Sequence, residues 1–296
     1  MQLPSHNRYK YQPITRRPWF QWPEGEGLAV YLGVNLEHFA FGEGLGAALV
    51  PGVPHPDVLN YAWRDYGNRV GAWRLLELFD ALDMPAGVLA NSAIAEYCPE
   101  LLQAHLERGD ELVGHGRTNS ERQSDFDEAG ERRLIVESRQ RLETFAGQPP
   151  TGWLGPWISQ SAQTPDLLRE AGFTYLLDWC HDDQPVWMHT RATHEPILSV
   201  PYPQEVNDIP AVIARQNDAA EFADMIVDQF DEMRQQARAQ PLVMGIALHP
   251  YIVGQPFRLR HLRRALEHIY AHRDSLWMTT PGRIAETFAD QVPPTS

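Results

Sequence analysis

Cysteine is scarce in this chain: Cys98 and Cys180 are the only two in 296 residues, far apart and in no C-x-x-C pair. That excludes a disulfide framework and a thiolate zinc site. Positive charge is also short, with 25 Lys and Arg against 39 Asp and Glu, a formal charge of −14 and a pI near 5.3. The basic surface that nucleic-acid phosphates or an acidic membrane would need is therefore missing. No segment is apolar for long enough to span a bilayer. The opening MQLPSHNRYKYQPITRRPWFQW has no apolar run behind its basic residues, which predicts a cytoplasmic protein without a signal peptide. Also missing are G-x-G-x-x-G, G-x-S-x-G, Walker and H-E-x-x-H patterns, so dinucleotide, serine-hydrolase, phosphate-transfer and zincin chemistry lose their usual support.

What is present is a globular composition, 43% hydrophobic and 22% charged. Short β-rich runs alternate with helical patterns from residue 28 onward, with no linker, repeat or low-complexity block. The first run, 28–34, is apolar on both faces, as a buried parallel strand requires. Further strands are expected at 86–90, 111–114, near 153–154, and at 174–177, 197–200, 242–248 and 276–278, about eight in all. Helices are expected over 69–82, 99–108, from Asp127 to Ala146, from Thr164, over 219–240 and 258–272, and from Pro281. Such strand–helix units imply an α/β fold with parallel strands, either a barrel or, as runner-up, a doubly wound open sheet. Residues 1–27 are expected to pack on the barrel as an extension, with 28–296 as its single domain.

In such a barrel the catalytic groups collect at the carboxyl ends of strands. Glu37, His38, His115, Asp178 and His249 all fall at that end of an expected strand. A carboxylate following an apolar strand, as Glu37 does, would be partly desolvated and its pKa raised, which suits a general base acting on water. His115 sits between Gly114 and Gly116, and Asn119 lies four residues on, so a helical turn would aim both at one ligand or metal. His249 closes a buried strand before Pro250 and is placed to protonate a leaving nitrogen. Asp178 is read either as the acid that orients an imidazolium or as a loop cap. Trp157, Trp179 and Trp187 are candidate pocket walls or plain core aromatics. The run from Arg258 to Arg260 reads as a solvated helix face, with Arg258 kept as a candidate substrate contact.

Several of these residues lie in a familiar order. Asn35-x-Glu37, the run from Arg64 to Arg74, Gly114-His115-Gly116, Gly152-Trp153-Leu154-Gly155-Pro156-Trp157, Asp182-Asp183-x-Pro185-x-Trp187, Asn207-Asp208 and the His249 segment ending at Arg258 together resemble the polysaccharide deacetylase (NodB-homology) superfamily. Within it the likeness is to the branch of bacterial allantoinase and cyclic imide hydrolases. The resemblance implies a distorted (β/α) barrel of about seven parallel strands, hydrolysis of a non-peptide carbon–nitrogen bond, and a homo-oligomer. It places Glu37 as base, His115 as the first motif histidine and His249 as acid. His38 stands where a ligating carboxylate is expected, and Asn119 replaces the second motif histidine. Zinc held by His38, His115 and Asn119 and a metal-independent mechanism both stay open.

The chemistry expected from this set is attack of water, deprotonated by Glu37, on an amide carbonyl polarised by a metal or by His115. His249, oriented by Asp178, would then protonate the departing nitrogen. A cytoplasmic chain is poorly placed to deacetylate cell-wall glycan, so a small cyclic amide, imide or ureide is the expected substrate. A sugar N-deacetylase is the alternative, and a non-catalytic ligand-binding barrel is the rival from another class. Neither a nucleic acid nor a membrane is an expected partner.

Overall fold

The computed structural model describes residues 5–192 and 195–294. Among the described residues nine strands form one sheet: β1 (Leu28–Leu36), β2 (Ala86–Ala90), β3 (Glu111–Gly114), β4 (Gly152–Trp153), β5 (Tyr175–Leu176), β6 (Val186–Met188), β7 (Ile197–Ser199), β8 (Leu242–Leu248) and β9 (Trp277–Thr279). Their order is β6-β7-β5-β4-β3-β2-β1-β8, and every pairing is parallel except β6 with β7. The sheet curls into a distorted barrel, and a parallel bridge between Asn207 and Ala247 draws its two ends together. β8 runs beside β1 from Leu28 to Val34. The other edge of β1 must therefore be shared, by β9 at residues 29–31 and by β2 at residues 32–36.

The fold class read from the sequence is the one observed, with two differences. β6 was missed because a three-residue antiparallel edge strand has too short a pattern to register. The expected helix over 69–82 begins earlier, as Val58–Tyr66, and continues through a wider turn at Gly67–Gly71 into Ala72–Ala81. Gly71 allows that path, since a Cβ there would lie 2.1 Å from the Pro250 carbonyl oxygen. Among the described residues, no helix is long and apolar enough to cross a membrane.

The strand pleat divides the core. On β1, Leu28, Val30, Leu32, Val34 and Leu36 face the helices, whereas Ala29 and Tyr31 join Leu89, Val113, Leu154, Tyr175, Tyr202, Val243 and Ala247 inside the barrel. Odd-numbered residues of β1, β2, β3 and β8 thus point inward. The register aligns Leu36 with Ala90 and Ala90 with Gly114, while Val34 stands beside Leu248. The next residues, Glu37, Asn91, His115 and His249, are all odd and all emerge at one end of the barrel.

Gly114 fixes the approach of β3 to β4, because a Cβ there would lie 2.8 Å from the Trp153 ring, which is fully buried. Gly114→Ala is expected to destabilise the protein by about 1–3 kcal/mol through overpacking. A lower urea midpoint with an unchanged denaturant slope checks this, and an unchanged midpoint refutes it.

Candidate active site

The inward residues at the strand ends line a cavity of about 240 Å³, whose polar members include Glu37, His115, Asn119, Tyr202, Asn207 and His249. Glu37 is 5% exposed. Its Oε2 accepts from the Tyr251 hydroxyl at 2.7 Å, and its Oε1 accepts from Asn119 Nδ2 at 2.5 Å. The same Oε1 faces two imidazoles, with His249 Nε2 at 3.5 Å and His115 Nε2 at 3.7 Å.

Asn91 braces this arrangement from behind. It accepts from His38 N at 2.8 Å and donates to the His115 carbonyl and to Asn119 Oδ1, so one carboxamide ties the ends of β1 and β3 to the loop that follows. The far wall is apolar, with Leu154, Trp157 and Ile158. Trp157 and Ile158 adopt φ of 62° and 51°, a strained conformation for residues with side chains. Trp157 is held by donating its indole N–H to the Asn119 carbonyl at 3.0 Å.

His249 lies between two carboxylates. Its Nδ1 is 2.5 Å from Asp208 Oδ1, and its backbone N–H donates to Asp208 Oδ2 at 2.7 Å. Burial lowers the His249 pKa, but Asp208 and then Glu37 outweigh burial and push it up to about 10. Burial likewise opposes ionisation of Glu37, yet the His249 charge, aided by the His115 ring, brings its pKa down to about 2. The raised Glu37 pKa expected from desolvation is thus reversed, chiefly by the charge of His249.

His115 Nδ1 lies 2.8 Å from the Leu154 carbonyl, which can only accept, so this nitrogen carries the proton. In the neutral ring Nε2 is then an acceptor, and it has no hydrogen-bond partner among the described residues. That geometry suits a water beside Glu37 better than the expected contact with a carbonyl oxygen.

The structure therefore brings Glu37, His115, Asn119, Trp157 and His249 together and leaves the other candidates apart. His38, at an even position, turns to the helix side and packs its ring 4.2 Å from that of Tyr97. Asp178 does not orient His249. Its Oδ1 accepts from Gly155 N at 2.7 Å, and burial raises its pKa to about 7. Trp179 donates to Gln160 and packs edge-on to Tyr9, and Trp187 lines a separate cavity of about 1060 Å³ near the C-terminal residues. Arg258 leans over Phe257 and does not line the smaller cavity.

The zinc set implied by the resemblance does not fit. His38 faces away, and Asn119 spends its amide N–H on Glu37 and its oxygen on Asn91, leaving His115 Nε2 alone of the three aimed inward. Among the described residues no group of three or more His, Cys, Asp or Glu is arranged to hold a metal ion.

Comparison with known proteins finds relatives in sequence and in fold. The polysaccharide deacetylase family model matches residues 61–176. A Schizosaccharomyces pombe protein provisionally named a polysaccharide deacetylase is 25% identical over 95% of both chains. A Helicobacter pylori peptidoglycan deacetylase is 23% identical over 77% of this chain and 87% of its own. The crystal structure of PuuE allantoinase superposes with a TM-score of 0.86 at 27% identity, covering 97% of this chain and 99% of that one. The chain is similar to the polysaccharide deacetylase superfamily in sequence and in fold.

Three contributors to this site were given no role by sequence reasoning. Asp208 follows a single-residue bridge rather than a recognisable strand, Asn91 ends β2 without a titratable group to draw notice, and Tyr251 lies two residues beyond His249. The signal available was the Asn207-Asp208 pair, whose carboxylate had no assigned partner.

Asp208→Asn removes the nearer negative charge from His249, so the imidazole titration, at about pH 10 in the parent, is expected to move to lower pH. Histidine NMR across the alkaline range checks this. A titration left in place would show that Asp208 does not hold the His249 proton.

Proposed function

We propose that this chain, a polysaccharide-deacetylase-like hydrolase of carbon–nitrogen bonds other than peptide bonds, opens a small cyclic amide, imide or ureide with water activated at Glu37. The observation that carries the reading is Glu37 Oε1 facing Nε2 of both His115 and His249 inside a cavity of about 240 Å³. That volume lies below the roughly 300–1,000 Å³ of drug-sized ligand sites and suits one ring better than a glycan chain. The full-length likeness to PuuE allantoinase supports the same choice. The likeness to a peptidoglycan deacetylase supports an N-acetylated sugar as the second reading.

The steps follow from the charges. Water held between Glu37 Oε1 and His115 Nε2 gives a proton to Glu37 as its oxygen bonds to the carbonyl carbon. The His249 imidazolium stabilises the developing oxyanion and gives its Nε2 proton to the ring nitrogen as the carbon–nitrogen bond breaks. A carboxylate with a pKa near 2 is a weak base while the imidazolium stands beside it. Its basicity rises as His249 hands its proton on. Afterwards the proton on Glu37 returns to His249 across the 3.5 Å gap, because the resting pair favours carboxylate and imidazolium.

Glu37→Gln is expected to cut kcat/KM by about a hundredfold or more on whichever of imides, hydantoin-like ureides or acetylated sugars the parent hydrolyses. In the parent, activity requires Glu37 ionised and His249 protonated, so the rate is expected to stay flat through neutral pH and to fall on approaching pH 10. Retention of activity within about tenfold in the Gln variant would remove Glu37 from the base role. Turnover of acetylated sugars alone would select the second reading.

A further inference from the structure

Apolar side chains gather on one face outside the active site. Phe41 is 56% exposed, Leu49 and Val50 45% each, Val58 57% and Leu59 47%. They form one patch because residues 41–56 fold back on the helix Val58–Tyr66. The Asn60 carboxamide accepts from the backbone N–H groups of Leu49 (2.8 Å) and Val50 (3.1 Å) and donates to the Val50 carbonyl (2.9 Å). The Phe41 ring meets that of Tyr61 edge-on at 5.0 Å. The five side chains leave on the order of 500 Å² uncovered, a large share of the roughly 800 Å² per partner that a stable interface buries.

We infer that residues 41–61 form the face on which a second copy of this chain docks. A two-fold interface sets a patch against itself, so any charged group in it comes near its own like. On a chain of net charge −14 most faces would repel their copy. This one carries little charge: between Phe39 and Trp63 the only acidic or basic residues apart from His55 are Glu43 and Asp57, and Asp57 is engaged in capping the helix through Asn60 N at 3.0 Å. An apolar, charge-poor surface is its own complement, whereas a partner of different chemistry would find few groups here to recognise. The patch is fastened beside the active site, since Ala40 N and Leu45 N donate to the hydroxyl and carbonyl of Ser120, next to Asn119. A docked copy would therefore stand near the cavity mouth.

Sedimentation velocity on the full chain over about a hundredfold concentration range tests this. The parent is expected to sediment as a dimer or a larger even-numbered assembly at the upper end. The double variant Phe41→Glu with Leu59→Glu is expected to be monomeric with an unchanged far-ultraviolet circular dichroism spectrum, because both side chains are exposed on the single chain. Phe257→Glu, at an apolar residue 62% exposed on the helix Pro256–Tyr270, should leave the assembly intact. Without any substitution, amide hydrogen exchange of residues 41–61 in the parent should slow as concentration rises. A parent that stays monomeric throughout overturns the inference. So does an assembly that survives the double variant, or exchange that slows only elsewhere.

Discussion

Successive residues of a β-strand face opposite sides of its sheet, and here β1, β2, β3 and β8 end nearly in step. Everything at the cavity follows from that alternation. Glu37, Asn91, His115 and His249 share the inward parity of Tyr31, Leu89, Val113 and Ala247, so a core pattern built from aliphatic side chains also aims the polar groups that follow it. His38, one position on from Glu37, is sent to the opposite side and packs with Tyr97. A one-residue slip of β1 would exchange the two and dismantle the site.

Geometry of this kind concentrates charge in a low-dielectric space, where an isolated carboxylate would be costly to keep ionised. The chain answers with an alternating row, Asp208, His249 and Glu37, in which each ion faces its opposite. The row fixes both protonation states away from neutrality, with Glu37 low and His249 high, so that a carboxylate and an imidazolium stand side by side at neutral pH. Tyr251 and Asn119 add donors to Glu37 that hold the carboxylate in one orientation without adding charge.

Much of this could be read from the residues alone. A continuous apolar run before Glu37, paired glycines around His115 and Pro250 after His249 marked three strand ends, and they converge. His38 misled because adjacency in sequence was taken as adjacency in the site, although the pleat separates neighbours. Asp178 misled for another reason: it does end a strand, but β5 lies two strands beyond β3, and its carboxylate is used at the Gly155 turn. The role of Asp208 was hidden because the segment before β8 contributes only a bridge at Asn207, which leaves no periodic trace. Trp187 belongs to β6, and the strand and the residue's place on it became legible together only in three dimensions.

An experimental structure of the chain crystallised with zinc and with a candidate ring amide is the most direct measurement of this arrangement. The account predicts Glu37 Oε1 within about 4 Å of Nε2 of both His115 and His249, in reach of one shared water, with His38 turned out against Tyr97. A structure in which His38 points into the barrel and joins His115 and Asn119 around a single zinc ion would contradict it.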